Sequence, residues 1–91
     1  MSVTLVGGMD RLSPDYVAAA AKWGHTLRVI HRNEANFTAK LGAPDLVIVF
    51  TGKISHEALR KAKRMARNLG APIKYLRSSG VSALESCLSA L

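Results

Sequence analysis

The chain has 91 residues and a formal net charge of +7, with 13 lysines and arginines against 6 aspartates and glutamates. This length allows one domain, and a hydrophobic content of 48% excludes a disordered chain. The excess of positive charge favours anionic partners such as phosphates, nucleotides, nucleic acid or a carboxylate-bearing cofactor. A basic surface without any specific partner is an equal alternative.

The single cysteine, Cys87, excludes an intrachain disulfide and indicates a reducing compartment, so we expect a cytoplasmic protein. The sequence does not open with a signal-peptide pattern. Its longest bulky apolar run, Leu46 to Phe50, is far shorter than the roughly 20 residues of a membrane helix, so we expect no membrane partner. Because so short a chain buries little apolar surface, we expect a homodimer.

The first third of the chain predicts a strand, a helix and a second strand. Ser2 to Val6 is apolar and β-branched, which is typical of a strand, and it ends at Gly7-Gly8. Ser13-Pro14-Asp15 predicts a helix with a serine N-cap, and Gly24 predicts its end. Thr26 to Ile30 is the second predicted strand. Trp23, at the end of the helix, is expected in the core, as is Phe50.

The middle of the chain predicts a buried strand followed by a strongly amphipathic helix. The stretch His31 to Pro44 has no clear pattern, although the spacing of Ala35, Phe37 and Leu41 is compatible with a short helix that Gly42 and Pro44 would end. Leu46 to Phe50 is apolar on both faces, as in a central parallel strand. Ser55 predicts a helix N-cap and Gly70 the helix end. One face of this helix is apolar, and the rest is basic: Arg60, Lys61, Lys63, Arg64 and Arg67.

The last quarter predicts one more strand and one more helix. Pro72 to Leu76 has the pattern of a fourth strand, and Ser82 with Glu85 three residues later has the spacing of a capping box. Strand and helix patterns therefore alternate along the chain, which indicates parallel strands. We predict one Rossmann-like α/β domain over residues 1–91, in three layers, with a four-stranded parallel sheet of order 2-1-3-4 and helices on both faces.

The residues that follow the predicted strands point to a cationic pocket. In an open parallel sheet, ligands bind outside the carboxyl ends of the strands. Glycines there allow close approach of a ligand, and helix N-termini offer free N–H groups. The order 2-1-3-4 predicts a switch point between strands one and three. The candidate ligand-binding residues are Gly7, Gly8, Arg11, Arg32, Lys53, Ser55, His56, Arg77, Ser78, Ser79 and Gly80.

Each of these features also has a plainer interpretation. Gly7-Gly8 is equally well explained as a tight turn, and it completes neither a Walker loop nor a G-x-G-x-x-G motif. Ser55 and Ser82 are more often simple helix caps. No catalytic constellation is visible, and no zinc motif occurs. We therefore lean against an enzyme and predict no metal ligands, unless His56 or His31 binds haem iron.

Three segments together resemble a known family. Val6-Gly-Gly-Met-Asp-Arg-Leu12, Ile54-Ser-His-Glu-Ala58 and Arg77-Ser-Ser-Gly-Val-Ser82 are similar to the bacterial domain-of-unknown-function family 2325, over nearly the whole chain. The resemblance implies a small Rossmann-like domain and no settled function. It implies signature positions at Gly7, Gly8, Ser55, His56, Arg77, Ser78, Ser79 and Gly80. Many members carry a cysteine shortly before the Ser-His pair. Thr51-Gly-Lys53 stands there instead, which counts against a thiol or metal-thiolate role.

Three functions compete on this basis. The first is a non-catalytic binding or sensory domain for a phosphorylated small molecule or nucleotide. The second is a small haem protein, dimeric because one copy has little room to enclose a porphyrin, that binds or senses a diatomic gas through His56 or His31. The third is a nucleic-acid or protein-interaction module that uses the basic helix from Ser55 to Leu69. We rank them in that order.

Overall fold

The computed structural model describes residues 1–30, 43–52 and 54–91. Its strands are β1 (Ser2–Val6), β2 (Thr26–Ile30), β3 (Leu46–Phe50) and β4 (Ile73–Leu76). Its helices are α1 (Ser13–Lys22), α2 (His56–Leu69) and α3 (Val81–Ser89), and a short 3-10 turn (Asp10–Leu12) precedes α1. The predicted bounds of the first three strands are confirmed. The stretch His31 to Pro44, for which the sequence has no clear pattern, falls almost wholly outside the described residues.

The four strands form one parallel sheet of order β2-β1-β3-β4, as predicted. All five residues of β3 are buried, which is why its sequence is apolar on both faces. β4 is an edge strand, and Lys74 and Tyr75 on it are exposed. No helix in the described part of the chain is long and apolar enough to cross a membrane.

Helices cover both faces of the sheet and give two separate cores. On one face, α1 and α3 pack together, and the core is Val3, Leu5, Tyr16, Ala20, Leu27, Leu46, Ile48, Phe50, Leu84 and Leu88. On the other face lies α2, and the core is Val6, Ile30, Val47, Val49, Ala58, Ala62 and Ala66. Alternate residues of β1 and β3 therefore serve opposite cores, as the pleat of a strand requires.

The ends of α2 follow the sequence signals closely. The Ser55 hydroxyl oxygen accepts a hydrogen bond from the Ala58 N–H at 3.1 Å, and Gly70 has the left-handed φ of 68°. Both features were predicted, because the cap and the terminal glycine act within one helical turn. The apolar face of the helix is not buried to its end, because Leu69 in the last turn is 49% exposed.

The predicted caps of α1 and α3 are wrong. Leu12 is the N-cap of α1, because the 3-10 turn runs directly into the helix and Ser13 is already helical. Gly80 is the N-cap of α3, and its carbonyl accepts the first helical hydrogen bond from the Leu84 N–H at 3.3 Å. Ser82 therefore lies inside the first turn, where it makes no capping bond. In both cases the preceding turn sets the helix start one or two residues early.

Trp23 is 45% exposed, so its predicted place in the core is also wrong, whereas Phe50 is fully buried. The helix α1 ends at Lys22, and the Trp23 ring lies beyond the last turn with the Lys22 ammonium 5.8 Å from its centroid. Lys22 forms a salt bridge of 2.9 Å with Glu85 of α3. Hydrogen bonding and charge from Lys22, with a smaller contribution from a Trp23 hydrogen bond, lower the pKa of Glu85. The polar indole N–H thus favours the surface.

Replacing Ser55 with alanine is expected to lower the free energy of unfolding by about 1 kcal/mol, because the Ala58 N–H loses its partner. Ser82→Ala is the matched control and is expected to change stability by less than about 0.5 kcal/mol. Urea unfolding followed by circular dichroism measures both. Equal losses for the two variants would contradict the cap assignment.

Candidate functional site

The carboxyl ends of β1 and β3 form the switch point of the sheet. These strands are neighbours, yet α1, which follows β1, lies on one face and α2, which follows β3, lies on the other. The chain therefore leaves the two strands in opposite directions. Such a divergence opens the crevice in which parallel α/β sheets bind ligands. All three described helices begin at this edge, because each follows a parallel strand.

The loop after β1 turns tightly at Gly7 and Gly8. The Gly7 N–H donates to the Ile30 carbonyl at 2.8 Å and so continues the sheet for one residue. Gly7 has a φ of 98° and Gly8 a φ of 91°, values that side chains with a Cβ rarely adopt. A Cβ on Gly8 would lie 3.0 Å from Cδ2 of Phe50 and 3.1 Å from the Tyr16 ring. Close packing, and not only ligand contact, therefore accounts for this glycine.

Tyr16 links the loop after β1 to the loop after β4. Its side chain is fully buried, and its ring lies 5.5 Å from that of Phe50 at the end of β3. The Tyr16 hydroxyl donates to the Ser79 carbonyl at 2.5 Å and accepts from the Met9 N–H at 3.3 Å. One side chain thus spans the end of β3 and holds the two flanking loops. Sequence reasoning missed it; the only signal was a lone aromatic in an alanine-rich helix.

The loop after β4 is also held against the loop after β3. The Thr51 N–H donates to the Leu76 carbonyl at 2.9 Å, and a Cβ on Gly52 would lie only 2.7 Å from the Arg77 carbonyl oxygen. Within the β4 loop, the Gly80 N–H donates to the Ser78 hydroxyl oxygen at 3.2 Å. The Arg77 side chain is exposed. Backbone contacts therefore place a guanidinium at the rim of this edge.

Ser55 and His56 begin α2 beside the switch point. The Ser55 oxygen is used as a helix cap, yet its hydroxyl hydrogen can still donate to a ligand. His56 is the first residue of the helix and is exposed. His56 is the residue that the haem hypothesis names as an iron ligand. It lies at an open edge of the sheet, and the described residues do not enclose it. His31, the other haem candidate, lies outside the described residues.

The structure brings most of the predicted candidates to one edge of the sheet. Arg11 lies in the 3-10 turn after β1 and is exposed, as is Arg77 after β4. Arg32 and Lys53 are outside the described residues. Among residues 1–30, 43–52 and 54–91, no group of three or more His, Cys, Asp or Glu side chains could hold a metal ion. Cys87 of α3 is half-buried and packs against the core of α1 and α3.

Comparison with known proteins gives a family and no activity. A family model described as an uncharacterized protein conserved in bacteria (DUF2325) matches residues 2–91, essentially the whole chain. This is the family that the three motifs resemble. No curated protein and no solved structure matches the chain. The function must therefore be argued from the site itself.

Proposed function

The chain belongs to this bacterial DUF2325 family, and on that premise we propose that it is a non-catalytic binding or sensory domain for a phosphate-bearing small molecule or nucleotide. The ligand lies at the carboxyl ends of β1, β3 and β4. The observation that carries the proposal is the Tyr16 bridge. It holds the Gly7–Gly8 turn and the Arg77–Gly80 loop on either side of the switch point.

The chemistry of this edge suits a phosphate group. The exposed Arg77 guanidinium offers several N–H donors in a planar fork, which matches two phosphate oxygens at once. The Ser55 hydroxyl and the N–H groups at the start of α2 lie at a positive helix end. Arg11 adds a second guanidinium on the β1 side. By sequence, Arg32 and Lys53 add further positive charge after β2 and β3.

The loops at this edge are already ordered, which favours the binding of a small ligand. Tyr16 fixes the β1 and β4 loops, and the contact between Gly52 and the Arg77 carbonyl fixes the β3 and β4 loops. A ligand therefore meets donors that are already ordered, so less conformational entropy is lost on binding. The proposal assigns no chemical step to these residues. The expected homodimer stays a prediction.

Isothermal titration of the full chain with inorganic pyrophosphate and, separately, with ATP tests this proposal. We expect binding, and we expect Arg77→Ala to weaken it about 10- to 150-fold, because a hydrogen bond to a charged group contributes about 1.5–3 kcal/mol. Lys22→Ala is the control. It removes the same charge from the last turn of α1, at the opposite edge of the sheet. Buffer with 0.15 M salt screens long-range effects of the net charge.

Either of two results would count against the phosphate site: no binding of either probe, or equal weakening by Arg77→Ala and Lys22→Ala. An absorption spectrum of freshly purified protein separates the haem hypothesis. Near-ultraviolet absorbance of the nucleotide type, in excess of what the protein's own aromatic residues give, supports a co-purified nucleotide. A Soret band would instead establish haem, and His56→Ala and His31→Ala would then identify its ligand.

A further inference from the structure

The outer face of α2 carries a dense row of positive charge that the proposed phosphate site does not use. The helix has 14 residues and begins at the carboxyl edge, but its cations lie further along it. Its fully buried residues are Ala58, Ala62 and Ala66, and Leu59 and Met65 pack beside them against the core. Around the rest of the helix stand Arg60, Lys61, Lys63, Arg64 and Arg67, with Glu57 as the one acidic residue.

Several of these cations are spaced so that they repel each other, which destabilises the helix unless an anion lies between them. Arg60 and Arg64 are four residues apart, as are Lys63 and Arg67, so like charges are neighbours on the helix surface. An exposed helix that is stabilised by its own ion pairs alternates acids with bases at this spacing, and α2 does not. The arrangement therefore favours contact with a polyanion that runs along the helix.

Two shallow depressions lie on this face. One, of about 510 Å³, runs along the helix and is lined by Glu57, Arg60, Lys61, Lys63, Arg64 and Arg67. The other, of about 290 Å³, lies between α2 and β4 and is lined by Lys63, Ala66, Arg67, Ala71, Ile73 and Tyr75. Because Lys63 and Arg67 line both, the row of cations adjoins a depression that also contains apolar side chains and an aromatic ring.

Tyr75 distinguishes the partner. It lies on the edge strand β4 and is 48% exposed, and the Lys63 ammonium is 5.7 Å from its ring centroid. Proteins that bind single-stranded nucleic acid combine a row of positive charge with exposed aromatic rings on which unpaired bases stack. An acidic protein surface would use the charges but not the aromatic pocket. In a duplex the bases are already stacked on one another, so the Tyr75 ring would have no free base face to contact.

We propose that the outer face of α2 and Tyr75 bind single-stranded nucleic acid, with phosphates along the helix and a base against Tyr75. This surface is separate from the phosphate site and does not rest on it.

Fluorescence anisotropy with a labelled 15-nucleotide thymidine strand, about the upper size of one compact binding site, tests the proposal. Arg60→Ser with Arg64→Ser is expected to reduce the slope of log affinity against log salt by about 1.4, or about 0.7 for each lost phosphate contact. Tyr75→Ala is expected to weaken binding about 5- to 150-fold with the salt slope unchanged, and Tyr75→Phe to bind normally. Lys22→Ala removes a positive charge from α1, on the opposite face of the sheet, and is the control that is expected to bind like the unmodified chain. Arg77→Ala is measured beside it to detect binding of the strand at the phosphate site.

These substitutions are at exposed positions, and thermal unfolding of each variant confirms that it folds. Equal or tighter binding of a duplex of the same length would overturn the proposal. Full affinity of the Tyr75→Ala variant would also overturn the proposal, because the binding would then be explained by attraction between charges alone. Loss of binding in Arg77→Ala but not in the α2 variant would place the strand at the phosphate site instead.

Discussion

Replacing Tyr16 with alanine is expected to lower the free energy of unfolding by about 3–5 kcal/mol, the usual cost of deleting a buried aromatic side chain. Tyr16 is fully buried and packs against Phe50, so the deletion leaves a cavity under the carboxyl edge of the sheet. A small domain has a total stability of only about 5–15 kcal/mol, so much of it would be lost. Urea unfolding followed by circular dichroism measures the change.

Tyr16→Phe isolates the hydroxyl group. The ring packing is kept, but the Ser79 carbonyl and the Met9 N–H lose their partner, and we expect a loss of about 1–3 kcal/mol. Tyr75→Phe removes the same atom from an exposed ring and is expected to change stability by less than about 0.5 kcal/mol. If the two variants lost equal stability, the Tyr16 hydroxyl would not be the bond that holds the two loops.

Tyr16→Phe also connects stability to the proposed phosphate site. The hydroxyl makes its bonds to the backbone of both loops, so the variant should bind pyrophosphate more weakly than the unmodified chain although its own side chain is buried. The weakening arises from loops that must be ordered on binding.

The sheet was predictable because its signals are local and redundant. The run Leu46 to Phe50 is apolar on both faces, which is typical of a central parallel strand, and the alternation of strands with helices indicated that the strands are parallel. Ser55 and Gly70 likewise act within one turn of α2. Once the strands are known to be parallel, Arg77 and His56 must lie at the same edge of the sheet, because each follows the carboxyl end of a strand.

The remaining features depend on contacts between distant parts of the chain. Tyr16 and Ser79 are 63 residues apart, and no pattern in either segment indicates the bond between them. By its spacing, Trp23 would continue the apolar side of α1, but the helix ends at Lys22. The Trp23 ring is therefore exposed, and the sequence pattern did not show where the helix would end. The cap of α3 was misplaced because Gly80, already extended, starts the helix before Ser82.

Gly8→Ala is expected to lower the free energy of unfolding by about 2–4 kcal/mol, for two separate reasons. A φ of 91° costs a residue with a Cβ about 1–2 kcal/mol, and the new Cβ would lie 3.0 Å from Phe50 and 3.1 Å from Tyr16, which adds the cost of overpacking. Gly24→Ala is the matched control. Its φ of 79° is also positive, but a Cβ there has nothing within 4 Å, so only the backbone cost of about 1–2 kcal/mol is expected.

The difference between these two variants in urea unfolding is the packing cost at Gly8 alone. A clear difference means that the tight fit of Phe50 and Tyr16 is sufficient to require glycine at position 8, whatever binds nearby. Equal losses would mean that the packing tolerates a methyl group. The glycine would then need another reason, and close approach of a ligand to the loop after β1 would be the physical reason to test next.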